Sequence, residues 1–198
     1  MPSSMADVVR RFVPSRTHVV AALVLAVGGT LVFGALHAVL IEPIWRRLVG
    51  GLPFALVAAA GMTWCYSELV SRRLLSGRVA GGALFGAALW VALLPMTAVA
   101  AALRMSGLRA RLGGFEVGVE LVVAAATGLV VGFAASRSWR VALASGVCMT
   151  AVVLAMAGPV AVTVGPTHRY LFVAFLPLYV AAGAVLSRLV RPAPQRPE

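Results

Sequence analysis

His37, Glu42, Glu68, Glu116, Glu120 and His168 are ionisable side chains in or at the ends of long apolar runs, where chemistry beyond apolar packing is possible. Carboxylates mixed with imidazoles can hold a divalent cation such as manganese, iron or zinc. The same groups can relay protons or pair with arginines, here Arg46, Arg47, Arg109 and Arg111. Glu116 and Glu120 are four residues apart, so a helix puts both on one face. His37 and Glu42 are five apart, about 140° out of line on an ideal helix. Pro43 offers a way out, because the residue before a proline is pushed from the helical region. Glu42 is therefore expected to leave the helix and swing back over the bundle mouth. These considerations give His37, Glu42, Glu116, Glu120 and His168 as the expected ligand-binding group, with a divalent cation as candidate cofactor.

A plainer reading comes first for most of these positions. Helix ends lie among lipid headgroups, where charge costs little and Trp45 is an ordinary interfacial anchor. Acids at a helix N-terminus also complement the macrodipole, which suits Glu116 and Glu120. Glu120 is the deepest of the group, among Val, Gly and Leu neighbours. An ionisable group inside a span is costly and is a functional candidate by default. Glu68 lies in "TWCYSEL", with Arg72 four residues on as a ready partner. Thr63, Trp64, Tyr66 and Ser67 around it read as an interfacial belt in preference to a pocket.

Other chemistries lack their residues. Cys65 and Cys148 both sit in apolar runs and neither has a C-x-x-C partner, so spacing excludes a zinc ribbon or a redox motif. Such cysteines behave as small apolar residues. The sequence holds no H-E-x-x-H zinc motif, no P-loop and no G-x-S-x-G elbow. Asp7 is the sole aspartate, which removes the paired aspartates that magnesium and a prenyl diphosphate would need. A membrane enzyme would have to use a glutamate, Glu42, Glu68 or Glu120, as general acid on a lipid or isoprenoid substrate.

These residues need elements to carry them, and composition says which kind. The chain of 198 residues is 61% hydrophobic with 12% charged residues and a mean hydropathy of +0.98. Soluble domains carry roughly a quarter of their residues as charges, so this chain has too little polar surface for water. Six apolar stretches are long enough for a bilayer: His18–Leu40, Leu52–Val70, Val79–Leu103, Val117–Ala135, Val141–Val162 and Tyr170–Val190. None alternates with period two, and lipid requires backbone hydrogen bonds to close internally, so the spans are expected to be helices. The expectation is an all-α, polytopic six-helix transmembrane bundle, a single domain over residues 1–190. The proline-rich tail 191–198 is expected to be disordered.

All 17 basic residues are arginine, and the net charge is +11. They fall in small groups between apolar runs, which fits headgroup contact and orientation and not nucleic acid. Eleven of the 17 lie on the side of the N-terminus if the six spans alternate, so both termini are expected in the cytoplasm. Arg10 and Arg11 before an apolar run resemble the start of a signal sequence, but no A-x-A site ends the run. The expected location is integral to a membrane, taken as a bacterial plasma membrane.

Gly82 with Gly86 and Gly128 with Gly132 form G-x-x-x-G pairs, expected to serve helix packing inside the bundle before any homodimer. Pro95 and Pro177 fall near the middle of the third and sixth spans, where a proline bends a helix. That pairing raises an inverted repeat of two three-span halves. Leu31 and Gly34 match Leu129 and Gly132 at an offset of 98, whereas the prolines match at 82, which counts against it.

Three function classes remain. Six short spans, mid-span prolines and buried acids suit a transporter, or a membrane substrate-binding subunit, for a small solute or divalent cation. In helix count and size the chain resembles the substrate-capture subunits of energy-coupling-factor importers. That resemblance implies small-residue contacts on the first helix, where Ala22 and Ala26 stand, and partner subunits in the membrane. The glutamate-based enzyme is the second class. A non-catalytic subunit of a membrane complex, or a homo-oligomer, is the third and needs no site.

Overall fold

The computed structural model describes residues 15–40, 45–105, 115–157 and 168–190. Every regular element among them is an α-helix: α1 (Arg16–Leu40), α2 (Trp45–Ser71), α3 (Val79–Met105), α4 (Phe115–Ser136), α5 (Trp139–Ala157) and α6 (His168–Leu189). The stretches Arg16–Ala35, Val49–Ser71 and Gly118–Ser136 are long and apolar enough to cross a membrane. Val79–Pro95, Trp139–Ala155 and Leu176–Leu189 are shorter apolar stretches. Leu23, Val27 and Leu31 of α1 and Val122 and Val130 of α4 lie exposed. Apolar side chains on an outer surface suit a helix whose solvent is hydrocarbon.

The helices pack in a circuit, α1 to α2 to α5 to α4 to α3 to α6 and back to α1. α2 and α5 face each other at one junction of the chain's two halves, α3 and α6 at another. Exchanging α1 with α4, α2 with α5 and α3 with α6 leaves this circuit unchanged, as an inverted repeat would. The depths of the crossings do not follow that symmetry. Ala22 and Ala26 of α1 pack on Ala59 of α2, while Gly128 and Gly132 of α4 pack on Ser145 and Ala142 of α5. Both crossings lie toward the same end of the bundle, where an inverted repeat would put them at opposite ends.

That shared end carries Arg16, Arg72, Arg73, Arg78, Arg137, Arg140 and Arg188, and is called the basic end below. α2 stops there in a Schellman turn. Arg73 takes a left-handed φ of 59°, its amide donates to Val70 O, and the Leu74 amide donates to Leu69 O. α4 stops at Arg137, also left-handed with φ 51°. Ser136 and Ser138 complete this turn, with the Ser138 amide donating to Ser136 Oγ at 3.2 Å. Across the same turn the rings of Phe133 and Trp139 stack obliquely, 4.8 Å between centroids.

Both G-x-x-x-G pairs are used inside the bundle. A methyl group at Gly82 would meet Gly183 O at 2.1 Å, and one at Gly183 would meet Gly82 O at 2.0 Å. One α-hydrogen of each glycine therefore points at the other's carbonyl, a reciprocal weak hydrogen bond worth about 0.5–1 kcal/mol each. One turn on, Gly86 meets Tyr179 O in the same way, at 2.0 Å. Only glycine lets α3 and α6 come this close. Ala22 and Ala26 are likewise spent on α2, so they are not presented to a partner chain.

The helices differ from the expected spans in two places. α2 starts at Trp45, seven residues before the expected Leu52, and takes in Arg46, Arg47 and Pro53. Pro53 lacks only one amide donor, and the helix continues through it, as it does through Pro95 in α3 and Pro177 in α6. α5 is described to Ala157, and the remaining residues of the expected fifth span lie outside the described residues. So does the tail 191–198.

Candidate functional site

The C-terminal half of α2 collects the polar chemistry of the described bundle. Helical spacing puts Gly61, Cys65, Glu68 and Arg72 along one stripe, and that stripe runs down α5 in the opposite direction. Gly61 lies against Cys148, Cys65 against Ser145, and Glu68 against Arg140. The adjoining stripe, with Met62 and Tyr66, enters the core beside Phe85, Leu89 and Leu186.

Glu68 is the charged centre. Its Oε2 stands 3.8 Å from Arg72 Nε one turn on, and its Oε1 3.8 Å from Arg140 Nη2 on α5. The carboxylate side chain is 16% exposed, against 38% for Arg72 and 50% for Arg140. A carboxylate near a helix C-terminus meets the negative end of the dipole, and two guanidiniums offset that cost here. The sequence supplied Arg72 as a partner; Arg140, 72 residues away, comes from the fold.

Thr63 and Tyr66 do not form a belt at the interface. Both are buried in the bundle. Thr63 Oγ1 donates to Ala59 O at 2.7 Å, returning its polarity to its own helix. Tyr66 tilts against Phe85 of α3, ring centroids 5.4 Å apart, and its hydroxyl donates weakly to Ser76 O at 3.4 Å. Both hydroxyls thereby donate to backbone carbonyls of the protein.

The expected ligand group fares differently. His37 is in the last turn of α1, Glu116 in the first turn of α4, and His168 is the first residue of α6. All three are thus carried at helix ends remote from the basic end, but their side chains lie outside the described residues, as does the whole of Glu42. Glu120 is half-buried on α4 and takes part in an interaction. α1 and α6 are neighbours in the circuit, whereas α4 stands across it from α1. Among the described residues no group of three or more His, Cys, Asp or Glu is arranged to hold a metal ion.

A groove of about 330 Å³ runs between α2, α4 and α5, lined by Val57, Leu129, Leu143, Val147, Thr150 and Leu154. Thr150 Oγ1 donates to Gly146 O at 2.8 Å, so the groove's one hydroxyl is already used. Such a surface accepts an acyl chain or an apolar helix and offers nothing to a polar solute. Comparison with protein-family models, with curated proteins and with solved structures finds no match to this chain.

Proposed function

We propose that this chain is a six-span integral membrane carrier, or the membrane substrate-binding subunit of one, for a small solute or a divalent cation. In this reading α3, α5 and α6 span with the three longer apolar helices, and both termini and the basic end face the cytoplasm of a bacterial plasma membrane. The observation that carries it is the polarity of the bundle. At the basic end, glycine crossings bring helices together backbone to backbone, and the Glu68 bridge ties α2 to α5 through side chains. Two of the three histidines, His37 and His168, and the acids Glu116 and Glu120 belong to the opposite ends of α1, α4 and α6, whereas His18 stands at the basic end in the first turn of α1. A carrier closed at one rim, with its ligand groups at the other, has this division. His37, Glu42, Glu116, Glu120 and His168 are the proposed ligand set.

Proteoliposomes containing the purified chain and a cation-sensitive dye test the cation form of the proposal with Mn²⁺ as the probe. Uptake above that of protein-free vesicles, reduced at least about tenfold in Glu120→Gln, is the expected result. Uptake unchanged by that substitution would reduce Glu120 to a tolerated polar residue. Labelling of single cysteines placed at residues 76 and 168 from opposite sides of the vesicle tests the topology.

One observation favours a second reading, a non-catalytic subunit of a membrane complex. The groove between α2, α4 and α5 is apolar throughout its lining, as a helix-docking surface would be. Absence of any flux, together with a stable membrane partner on purification, would favour it.

A further inference from the structure

Cys65 and Cys148 are 83 positions apart in the chain and belong to different halves of the bundle, yet they meet at the seam of α2 and α5. Cys65 Sγ stands 3.5 Å from Ser145 Oγ, and Cys148, one turn along α5 from Ser145, lies in the same buried cluster as Cys65. Both thiols are free, and the residues are only 4% and 1% exposed. The backbones are close enough for more than a packing contact. A methyl group on Gly61, one turn before Cys65, would stand 3.1 Å from the Cys148 Cα. Disulfides need Cα atoms within about 7 Å and facing Cβ vectors, and the crossing thinned at Gly61 brings the Cys148 backbone against α2 one turn from Cys65.

We propose that Cys65 and Cys148 are a redox-active dithiol that closes to an intramolecular disulfide, stapling α2 to α5 within the membrane interior. The co-reactant is a two-electron oxidant of the quinone or peroxide class. One thiolate forms an adduct with the oxidant or is converted to a sulfenic acid. The second sulfur then attacks the first, forming the S–S bond and expelling quinol, or water in the peroxide case. Both thiol protons leave with the reduced oxidant: two thiols and a quinone give one disulfide and one quinol, whereas hydrogen peroxide gives two waters. A disulfide is the fate that suits this place. It is neutral and apolar, whereas a pair of thiolates around a metal ion would leave charge in a low-dielectric interior. Ser145 beside Cys65 provides a hydroxyl that can accept a hydrogen bond from the thiol or donate one to the thiolate.

The site is independent of any transported solute, so its test stands apart from the flux assay. The full chain in lipid nanodiscs is treated with a short-chain quinone or with hydrogen peroxide, then denatured and alkylated with N-ethylmaleimide. Intact mass is expected to show loss of two hydrogens and no alkylated thiol, with the chain still monomeric on a non-reducing gel. Cys65→Ser and Cys148→Ser should each keep one thiol that is alkylated. Gly61→Leu, which pushes α2 from α5, should slow closure at least about tenfold. Closure with quinone alone identifies a lipid-borne oxidant, and closure with peroxide alone a water-borne one. Two thiols still alkylated after both treatments, in protein that remains folded and monodisperse, would overturn the proposal.

Discussion

The two broadest seams between the halves of this bundle are built from opposite materials. Between α3 and α6 the contact is backbone on backbone, Gly82 against Gly183 and Gly86 against Tyr179. Between α2 and α5 it is side chain on side chain: Cys65 with Ser145 and Cys148, Glu68 with Arg140. The first gains its stability from closeness, with Ser187 the side chain that packs beside Gly82. The second leaves a column of space one residue wide and fills it with thiols, hydroxyls and an ion pair. In lipid no hydrophobic force draws helices together, so contact must come from packing or polar bonds. This protein uses one device at each seam, and only the second leaves groups able to react.

The same substitution at each seam should break one and spare the other. Gly82→Ala drives a methyl group into a backbone carbonyl at 2.1 Å, and neither helix can turn it aside. Its expected cost is more than about 3 kcal/mol, read as loss of a monodisperse peak or a fall in thermal stability in detergent. Gly61→Ala meets Cys148 Cα at 3.1 Å, a squeeze of tenths of an ångström. Alanine's better helix propensity, about 1 kcal/mol over glycine, offsets most of that strain. A net change within about 1 kcal/mol is therefore expected. Equal losses at both positions would erase the distinction between the seams.

A smaller effect tests the turn that feeds the α2/α5 seam. Arg137 holds a left-handed φ of 51° between α4 and α5, a conformation glycine adopts without Cβ strain. Arg137→Gly is expected to stabilise the bundle by about 1 kcal/mol in thermal or denaturant unfolding. Destabilisation would mean that its guanidinium contributes more than its backbone costs.

The ion pair should give the smallest effect. A double-mutant cycle of Glu68→Gln with Arg140→Gln is expected to show a coupling of about 0.5 kcal/mol, since both arginines are substantially exposed. Added salt should weaken it further. A coupling several times larger would make the bridge a principal fastening of the seam.

How far the sequence reached depends on whether the signal was local. Hydropathy runs outlined six helices, and Val79 begins α3 where the apolar run begins. The G-x-x-x-G spacings announced close crossings, and Glu68 with Arg72 announced a pair, because each is written within a turn or two of one helix. α2 began earlier than expected because Arg46 and Arg47 read as headgroup-contacting loop residues, while the helix takes both into its first turn.

Length, apolarity and arginine placement by themselves determined an all-helical chain suited to lipid, for there the backbone must bond to itself and charge must stay at the rims. They also fixed which residues are small enough for helices to touch. Which helices touch was decided only by the tertiary structure. Cys65 and Cys148 look like filler in separate apolar runs until α2 and α5 are set side by side. Arg140 becomes a partner of Glu68 by the same pairing. Helix formation is set by residues three and four apart, but the choice of neighbour depends on matching two surfaces far apart in the chain, and no local spacing records that match.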